Sequence, residues 1–239
     1  FAVEPVPTPI IVPGVTYLRA ALATSFFNSS WVIYSPSFSA KLYTMKKIIL
    51  ATGNPGKVRE LNAMLVGHCS VVSQKDLQVK EVPETGSSFV ENALIKARNA
   101  AYQTQLPALA DDSGLEVDAL NGEPGVYSAR YAGDNASDEE NLSKLLKDME
   151  KHNNRKANFC CAMVFIRSYE DPNPIIIERR WHGEILRKPI GSNGFGYDPI
   201  FYLKEYDCSS AQLDPKTKNK ISHRGLALSD LLAEILLIE

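Results

Sequence analysis

A glycine-containing segment lies between a short β-branched run and a helical pattern, and its residue types suit phosphate binding. Its members are Thr52, Gly53, Asn54, Pro55, Gly56 and Lys57. Glycines let backbone N–H groups approach an anion, the start of the following helix adds positive potential, and the lysine adds a full charge. The segment is not a Walker A loop, because Val58 follows the lysine where that motif needs Ser or Thr. An ordinary strand–helix turn would show the same pattern.

Two adjacent carboxylates at the end of a predicted strand form a second candidate. Asp111 and Asp112 are followed by Ser113 and a glycine. Mg²⁺ prefers such hard oxygen ligands, and it often binds through one or two carboxylates together with substrate phosphates. Glu84 is a further carboxylate, placed just before a long helical pattern. The alternatives are a solvated acidic turn for the aspartates and, for Glu84, a residue that only stabilises the helix N-terminus.

Aromatic side chains lie among glycines in a third candidate, residues 191–199. Phe195 and Tyr197 flank Gly196, and Asp198 follows them. An aromatic face can stack on a nucleobase, and glycine leaves room for the base. An ordinary aromatic turn of a β protein is the alternative.

A basic cluster follows this aromatic segment. Lys216, Lys218 and Lys220 precede His223 and Arg224. Arginine offers a planar fork of donors and lysine a compact charge, and both suit phosphate or carbonyl oxygens. A solvated basic face would explain the cluster alone. The four candidates together, however, indicate a nucleotide site.

The elements that must position these residues alternate between strand and helix. Strands are predicted at 46–52, 69–73, 106–110, 158–168 and 175–184, and helices at 58–66, 87–105, 138–151 and 222–239. The long helix has a capping-box start, with Ser88 three residues before Glu91. Alternating strands and helices with one hairpin predict an α/β domain with a mixed sheet.

The first 44 residues differ from this pattern. They hold three charged residues and a cluster of prolines. We expect 1–44 to be a leader or extension outside the fold, and 45–239 to form a single catalytic domain. The alternative is an added strand or hairpin at 30–34.

Composition excludes several classes of protein. The 239 residues are 44% hydrophobic and 23% charged, near the averages of globular domains, and the net charge is −2. This charge argues against a protein that mainly binds nucleic acid. No apolar run is long enough for a membrane span. The four cysteines form no CxxC pair, so they are interpreted as buried residues in a reducing cytoplasm.

Five ordered motifs carry a resemblance to a known family. They read TGNPGK, VPETGSSFVENALIKA, ADDSGLEVDALNGEPGVYSARYAG, GFGYDPIF and ISHRGLAL. The chain from residue 45 onward closely resembles the inosine triphosphate pyrophosphatase family. The resemblance implies an elongated α/β fold with a long mixed central sheet flanked by helices, two lobes with a cleft between them, and a homodimer. It also implies that dITP, ITP and XTP are hydrolysed to the monophosphate and pyrophosphate, which removes deaminated purines from the nucleotide pool.

The resemblance also implies roles for individual residues. Asp112 matches the proton acceptor and a Mg²⁺ ligand, and Glu84 matches a second metal carboxylate. The implied substrate contacts are Thr52, Gly53, Asn54, Pro55, Gly56, Lys57, Ser113, Phe195, Gly196, Tyr197, Asp198, Lys218, His223 and Arg224. The residues alone leave open whether Asp111 or Asp112 is the base, how many metal ions bind, and which residue excludes guanine. The alternative functions are a pyrophosphatase for other modified or pyrimidine triphosphates and a nucleotide sensor without turnover.

Overall fold

The predicted alternation of strands and helices is present in the computed structural model, which describes residues 47–238. The expected leader, 1–44, lies outside the described residues. The helices and strands, in chain order, are β1 (Ile48–Leu50), α1 (Pro55–Leu65), β2 (Val71–Ser73), α2 (Phe89–Thr104), β3 (Ala108–Val117), α3 (Asp138–Asp148), β4 (Lys156–Ile166), β5 (Ile175–Ile185), β6 (Phe201–Leu203), β7 (Cys208–Ser209), α4 (Pro215–Ile221) and α5 (His223–Ile238).

The strands form one mixed sheet in the order β2-β1-β3-β4-β5-β6-β7. β1 is parallel to both β2 and β3, while the pairs from β3 to β7 are antiparallel. The predicted mixed α/β class is therefore confirmed. β1 pairs with β3 only at Ala108 and Leu109, whereas β4 pairs with β3 as far as Val117. β3 thus extends beyond the carboxyl end of its parallel neighbour.

The length of β3 corrects the sequence-based expectation. The predicted strand ended at residue 110, with both aspartates in the loop after it. In the structure Asp111 and Asp112 are inside β3, paired with Met163 and Ala162 of β4. Asp, Ser and Gly are poor strand formers, but pairing with a long neighbouring strand outweighs this local preference. Because side chains alternate along a strand, the two carboxylates lie on opposite faces of the sheet.

Each face of β3 is covered by different helices. Ala108 and Ala110 pack with the alanine stripe of α2, which includes Ala93 and Ala97. Leu109 belongs to a second cluster, formed with residues of α1 and α5. These two layers place α2 beside Asp112, and α1 and α5 beside Asp111. No helix among the described residues is long and apolar enough to cross a membrane.

Helix starts are fixed by side chains, as the sequence suggests. Ser88 caps α2 by accepting from the Glu91 N–H at 3.2 Å. The Glu91 carboxylate in turn accepts from the Ser87 N–H at 2.6 Å. Ser137 and Glu140 form both halves of a capping box on α3. The predicted closing helix, 222–239, is present as α5, which begins at His223. The lysine-rich segment before it forms a separate short helix, α4, which the sequence analysis did not predict.

Candidate active site

A cavity of about 660 Å³ opens beside the carboxyl end of β1. It brings together the four segments that the sequence singles out, which are far apart along the chain. The predicted site residues on its wall are Thr52, Gly53, Asn54, Lys57, Glu84, Asp112, Ser113, Phe195, Gly196, Tyr197, Asp198, Lys218, His223 and Arg224. Pro55 and Gly56 begin α1 beneath it. Ligands of open α/β sheets collect at this edge of the strands.

The predicted phosphate loop is organised by one of its own side chains. Asn54 caps α1, and its Oδ1 accepts from the N–H groups of Gly56 at 2.8 Å and Lys57 at 3.1 Å. The Thr52 hydroxyl oxygen accepts from the Asn54 N–H at 3.3 Å. The loop is thus rigid before any ligand arrives, and Lys57 provides its positive charge beside the helix N-terminus.

Asp111 is a buried ion-pair centre. Its Oδ2 lies 3.1 Å from Lys57 Nζ and 3.2 Å from Arg224 Nε, and it accepts from the Ser113 hydroxyl at 2.7 Å. Although burial favours the neutral acid, Lys57 and Arg224 hold the pKa of Asp111 far below its usual range. Asp111 has no exposed surface. Its carboxylate links Lys57 of the phosphate loop to Arg224 of the basic cluster.

Asp112 faces the cavity and meets a different set of partners. Its Oδ1 accepts from Lys96 Nζ at 2.7 Å, and its Oδ2 lies 3.4 Å from the Asn92 side-chain nitrogen. Burial outweighs the attraction of Lys96 and raises the pKa of Asp112 above its ordinary value. This carboxylate is therefore a better proton acceptor than an exposed aspartate.

Lys96 joins the two carboxylates that the resemblance assigns to a metal. Its Nζ lies 2.8 Å from Glu84 Oε1 as well as 2.7 Å from Asp112 Oδ1. Burial raises the pKa of Glu84, but Lys96 outweighs this effect and leaves the pKa below its ordinary value. Both carboxylates thus bind the same ammonium group, that of Lys96.

This donor set fits Mg²⁺ rather than a metal that needs a complete protein cage. No group of three or more His, Cys, Asp or Glu side chains suited to a metal ion occurs within residues 47–238. Mg²⁺ is commonly held by one or two carboxylates, with waters and substrate phosphates completing its shell. Glu84 and Asp112 supply that number of carboxylates.

The aromatic segment contributes one half-buried ring and one buried ring. Phe195 lies against the first turn of α1, so close that a Cβ on Gly56 would come within 2.6 Å of the ring. Lys218 Nζ lies 5.1 Å and Arg224 Cζ 5.7 Å from the centroid of the Phe195 ring. Tyr197 packs instead in a hydrophobic cluster, and its hydroxyl donates to the Ser128 carbonyl at 2.8 Å. Phe195 is therefore the ring available for stacking.

The basic residues are anchored by acidic side chains. Lys218 pairs with Asp198 and, at 2.9 Å, with Glu60 of α1. Arg224 pairs with Glu60 and Asp111, and its Nη2 donates to the Ser113 hydroxyl at 3.2 Å. Glu60 thus couples the helix after the phosphate loop to both basic side chains.

His223 is buried in an aromatic stack. Its ring lies parallel to Phe159, with centroids 4.9 Å apart, and Trp181 is 6.1 Å away. Burial and the charges of Arg224 and Lys218 hold the pKa of His223 well below its ordinary value, so the ring is neutral near pH 7. Its Nδ1 is buried without a hydrogen-bond partner among the described residues.

Comparison with known proteins decides the family. Residues 48–234 match the model of the Ham1 family. The chain belongs to the Ham1 family. It is 55% identical over 194 residues to the dITP/XTP pyrophosphatase of Vibrio parahaemolyticus, a match that covers 80% of this chain and 97% of that relative.

Solved structures agree with this assignment. A HAM1 protein from Coxiella burnetii matches with a TM-score of 0.75 and 48% identity over 80% of this chain and 99% of that one. The Ham1 protein of Staphylococcus aureus matches with a TM-score of 0.72 and 40% identity over 81% of this chain and 100% of that one. The family and the fold class expected from the sequence motifs are confirmed.

Several polar residues of this Ham1 site escaped the sequence analysis. Asn92, Lys96 and Glu60 lie inside helices, where polar residues usually face solvent. The available signal was their spacing: Asn92 and Lys96 are four residues apart and border the alanine stripe of α2. Glu60 lies three residues after Lys57, on the same helix. Residues at these spacings share a helix face.

Proposed function

We propose that the chain hydrolyses dITP, ITP and XTP to the monophosphate and pyrophosphate. The observation that carries this proposal is that Asp112 and Glu84, which both contact the Lys96 ammonium, lie in the same cavity as the phosphate loop. A triphosphate that enters the cavity can contact the loop and the carboxylate pair together. The similarity to the dITP/XTP pyrophosphatases of two Vibrio species, each 55% identical to this chain, supports the same reaction.

Asp112 is the proposed general base. Hydrolysis adds water to the α-phosphorus, breaks the bond between that atom and the bridging oxygen, and releases pyrophosphate. The attacking water must lose a proton, and Asp112 is the member of the aspartate pair on the cavity wall. Burial raises the pKa of Asp112 above its ordinary value, which makes this carboxylate a stronger proton acceptor than an exposed aspartate. Asp111 is entirely buried, and its negative charge is already compensated by Lys57 and Arg224, so we assign it a structural role.

Glu84 and Asp112 are the proposed Mg²⁺ ligands. The metal would supply charge neutralisation on the triphosphate and polarise the phosphoryl oxygens. Lys57 and the phosphate loop hold the negative charge that develops on the leaving pyrophosphate. Lys96 keeps the two carboxylates directed at one point and orients Asp112 through a 2.7 Å hydrogen bond.

The base is proposed to bind between Phe195 and the basic residues of α4 and α5. Hypoxanthine and xanthine carry a 6-oxo acceptor where adenine carries an amino donor. A fixed donor on Arg224 would be left unpaired by adenine, and mismatches of this kind discriminate strongly. Arg224 is held by Glu60, Asp111 and Ser113, so its remaining N–H groups are fixed in direction. His223 and Lys218 complete this part of the proposed site.

The deciding experiment is a pyrophosphate-release assay on dITP, ITP, XTP, GTP, ATP and dUTP, with and without Mg²⁺. We expect Mg²⁺-dependent release from dITP, ITP and XTP, and little from GTP or ATP. Preference for dUTP would indicate a pyrimidine pyrophosphatase, and binding without release would indicate a sensor.

From the family resemblance we also propose that the protein is a homodimer and that it is cytoplasmic. Sedimentation velocity would test the first proposal, and cell fractionation would test the second.

A further inference from the structure

Asn92 makes one hydrogen bond to each of two separate parts of the site. It lies in the first turn of α2 and is fully buried. Its Oδ1 accepts from the Gly86 N–H at 2.8 Å, and its Nδ2 donates to Asp112 Oδ2 at 3.4 Å. The orientation of the amide is unambiguous, because a backbone N–H needs an acceptor and a carboxylate needs a donor.

Gly86 permits the first of these contacts. A Cβ at this position would lie 2.7 Å from Asn92 Oδ1 and 2.9 Å from the Asn92 backbone nitrogen. Any other residue would therefore push the segment away from α2. Gly86 is two residues after Glu84, so the close approach also determines where the Glu84 carboxylate stands.

The start of α2 does not need these two hydrogen bonds for its own stability. The N-terminus of α2 is already capped by Ser88, so Asn92 is not needed for capping. Its neighbours on the buried face of the helix are apolar, mainly alanine. An amide among them costs desolvation unless both of its ends are paired. One end pairs with the segment that carries Glu84, and the other pairs with the carboxylate of Asp112.

We propose that Asn92 is a positioning residue that sets the separation of Asp112 and Glu84, so that both carboxylates bind one divalent cation. Lys96, one turn later on α2, orients the other oxygen of Asp112. The two side chains therefore hold the carboxylate from both sides. This inference rests on the proposed function, since it assumes that the two carboxylates share a metal. Partners that orient metal ligands typically contribute about 10- to 100-fold to metal affinity or activity.

The first test compares Asn92→Leu with Asn99→Leu. Asn99 is on the same helix and also bonds the preceding segment, through the Lys80 carbonyl at 2.8 Å, but the other end of its amide pairs with Gln103 rather than with Asp112 or Glu84. Mn²⁺ affinity would be measured by electron paramagnetic resonance on the full chain without nucleotide. We expect Asn92→Leu to bind Mn²⁺ about 10- to 100-fold more weakly and Asn99→Leu to bind it normally. Unchanged Mn²⁺ affinity in folded Asn92→Leu would overturn the proposal.

Two further variants keep the proposal testable if Asn92→Leu does not fold. Asn92→Asp retains the acceptor for Gly86 but loses the donor to Asp112. Gly86→Ala pushes the Glu84 segment away from α2, because the added Cβ would meet Asn92, but it keeps the Asn92 amide itself. We expect Gly86→Ala to weaken Mn²⁺ binding about 10-fold or more, and wild-type Mn²⁺ affinity in this variant would contradict the proposal.

Steady-state kinetics supply the second readout. With dITP, we expect Asn92→Asp to lower kcat about 10-fold or more while KM changes about 2-fold or less, because the residue acts on the carboxylates rather than on the nucleotide. A purely structural role would lower Tm and leave kcat per folded molecule unchanged, which would overturn the proposal. If the wild-type chain bound Mn²⁺ but released no pyrophosphate, the proposed function would fail, while the Mn²⁺ comparison would still decide this inference.

Discussion

Asp111 and Asp112 are adjacent in the sequence, yet their side chains lie on opposite faces of β3. Asp111 pairs with Lys57 and Arg224, and Asp112 pairs with Lys96. Because side chains alternate along the strand, two adjacent aspartates have different surroundings and different roles. One closes a buried ion-pair network, and the other stands on the wall of the cavity.

Asparagine substitutions should separate these two tasks. We expect Asp112→Asn to lower kcat by about 10²- to 10⁴-fold, because it removes the general base, while the free energy of unfolding changes little. Asp111→Asn should instead destabilise the fold by about 3–5 kcal/mol, because it leaves Lys57 and Arg224 without their shared buried partner. Urea unfolding and pyrophosphate release would be measured on both variants. A stable, inactive Asp111→Asn enzyme beside an active Asp112→Asn enzyme would reverse the assignment.

The sequence predicted those site residues whose roles follow from their immediate neighbours in the chain. Gly53 and Gly56 around a cap residue, followed by Lys57, indicate a phosphate loop without any knowledge of the rest of the chain. The motifs that carry the family resemblance are of the same kind. The structure brings these segments to one cavity beside the carboxyl end of β1, where ligands of open α/β sheets collect.

The extent of β3 and the roles of the helical polar residues depend on contacts between distant parts of the chain, and no local sequence pattern contains these contacts. The continuation of β3 through Asp112 comes from pairing with β4, whose partner residue Ala162 is 50 positions later. Asn92 and Lys96 acquire their roles from a carboxylate on β3, and Glu60 acquires its role from side chains on α4 and α5. A helical pattern identifies the face on which such residues lie, but it does not identify their partners.

The neutral state of His223 should make stability depend on pH. Its folded pKa lies well below the ordinary value of about 6.5, so below that pH the unfolded chain binds a proton that the folded chain does not. Stability from this residue is therefore full above about pH 6.5 and falls as the pH decreases, by at most about 1.4 kcal/mol per unit. Urea unfolding between pH 5 and 7.5 should show a flatter profile for His223→Phe than for the wild type. Parallel profiles would mean that the buried imidazole is protonated in the folded protein.

Removal of residues 1–44 tests the expected domain organisation. The Ham1 family match begins at residue 48, and the described fold begins with β1. Because the family match and the described helices and strands all follow residue 44, we expect the shortened chain to release pyrophosphate from dITP at a rate within about 2-fold of the full chain, with a similar Tm. Differential scanning fluorimetry and the release assay would be run on both proteins. A large fall in Tm would show that the segment is built into the domain.

Substitutions at Arg224 and Lys57 should affect turnover in different ways, because we assign Arg224 to base selection and Lys57 to phosphate binding. Arg224→Lys keeps a positive charge beside Glu60 and Asp111 but loses the planar fork of donors. A lost donor to a base carbonyl costs roughly 1 kcal/mol or more, so the ratio of ITP to ATP turnover should fall about 5-fold or more. Lys57→Met removes charge from the phosphate loop, and phosphates are the same in every substrate, so turnover of ITP and ATP should fall by the same factor. Both variants would be assayed at saturating Mg²⁺, with urea unfolding to confirm that each is folded. A slow Arg224→Lys enzyme with an unchanged ITP-to-ATP ratio would assign this arginine to the phosphates, and base selection would then depend on other residues around Phe195.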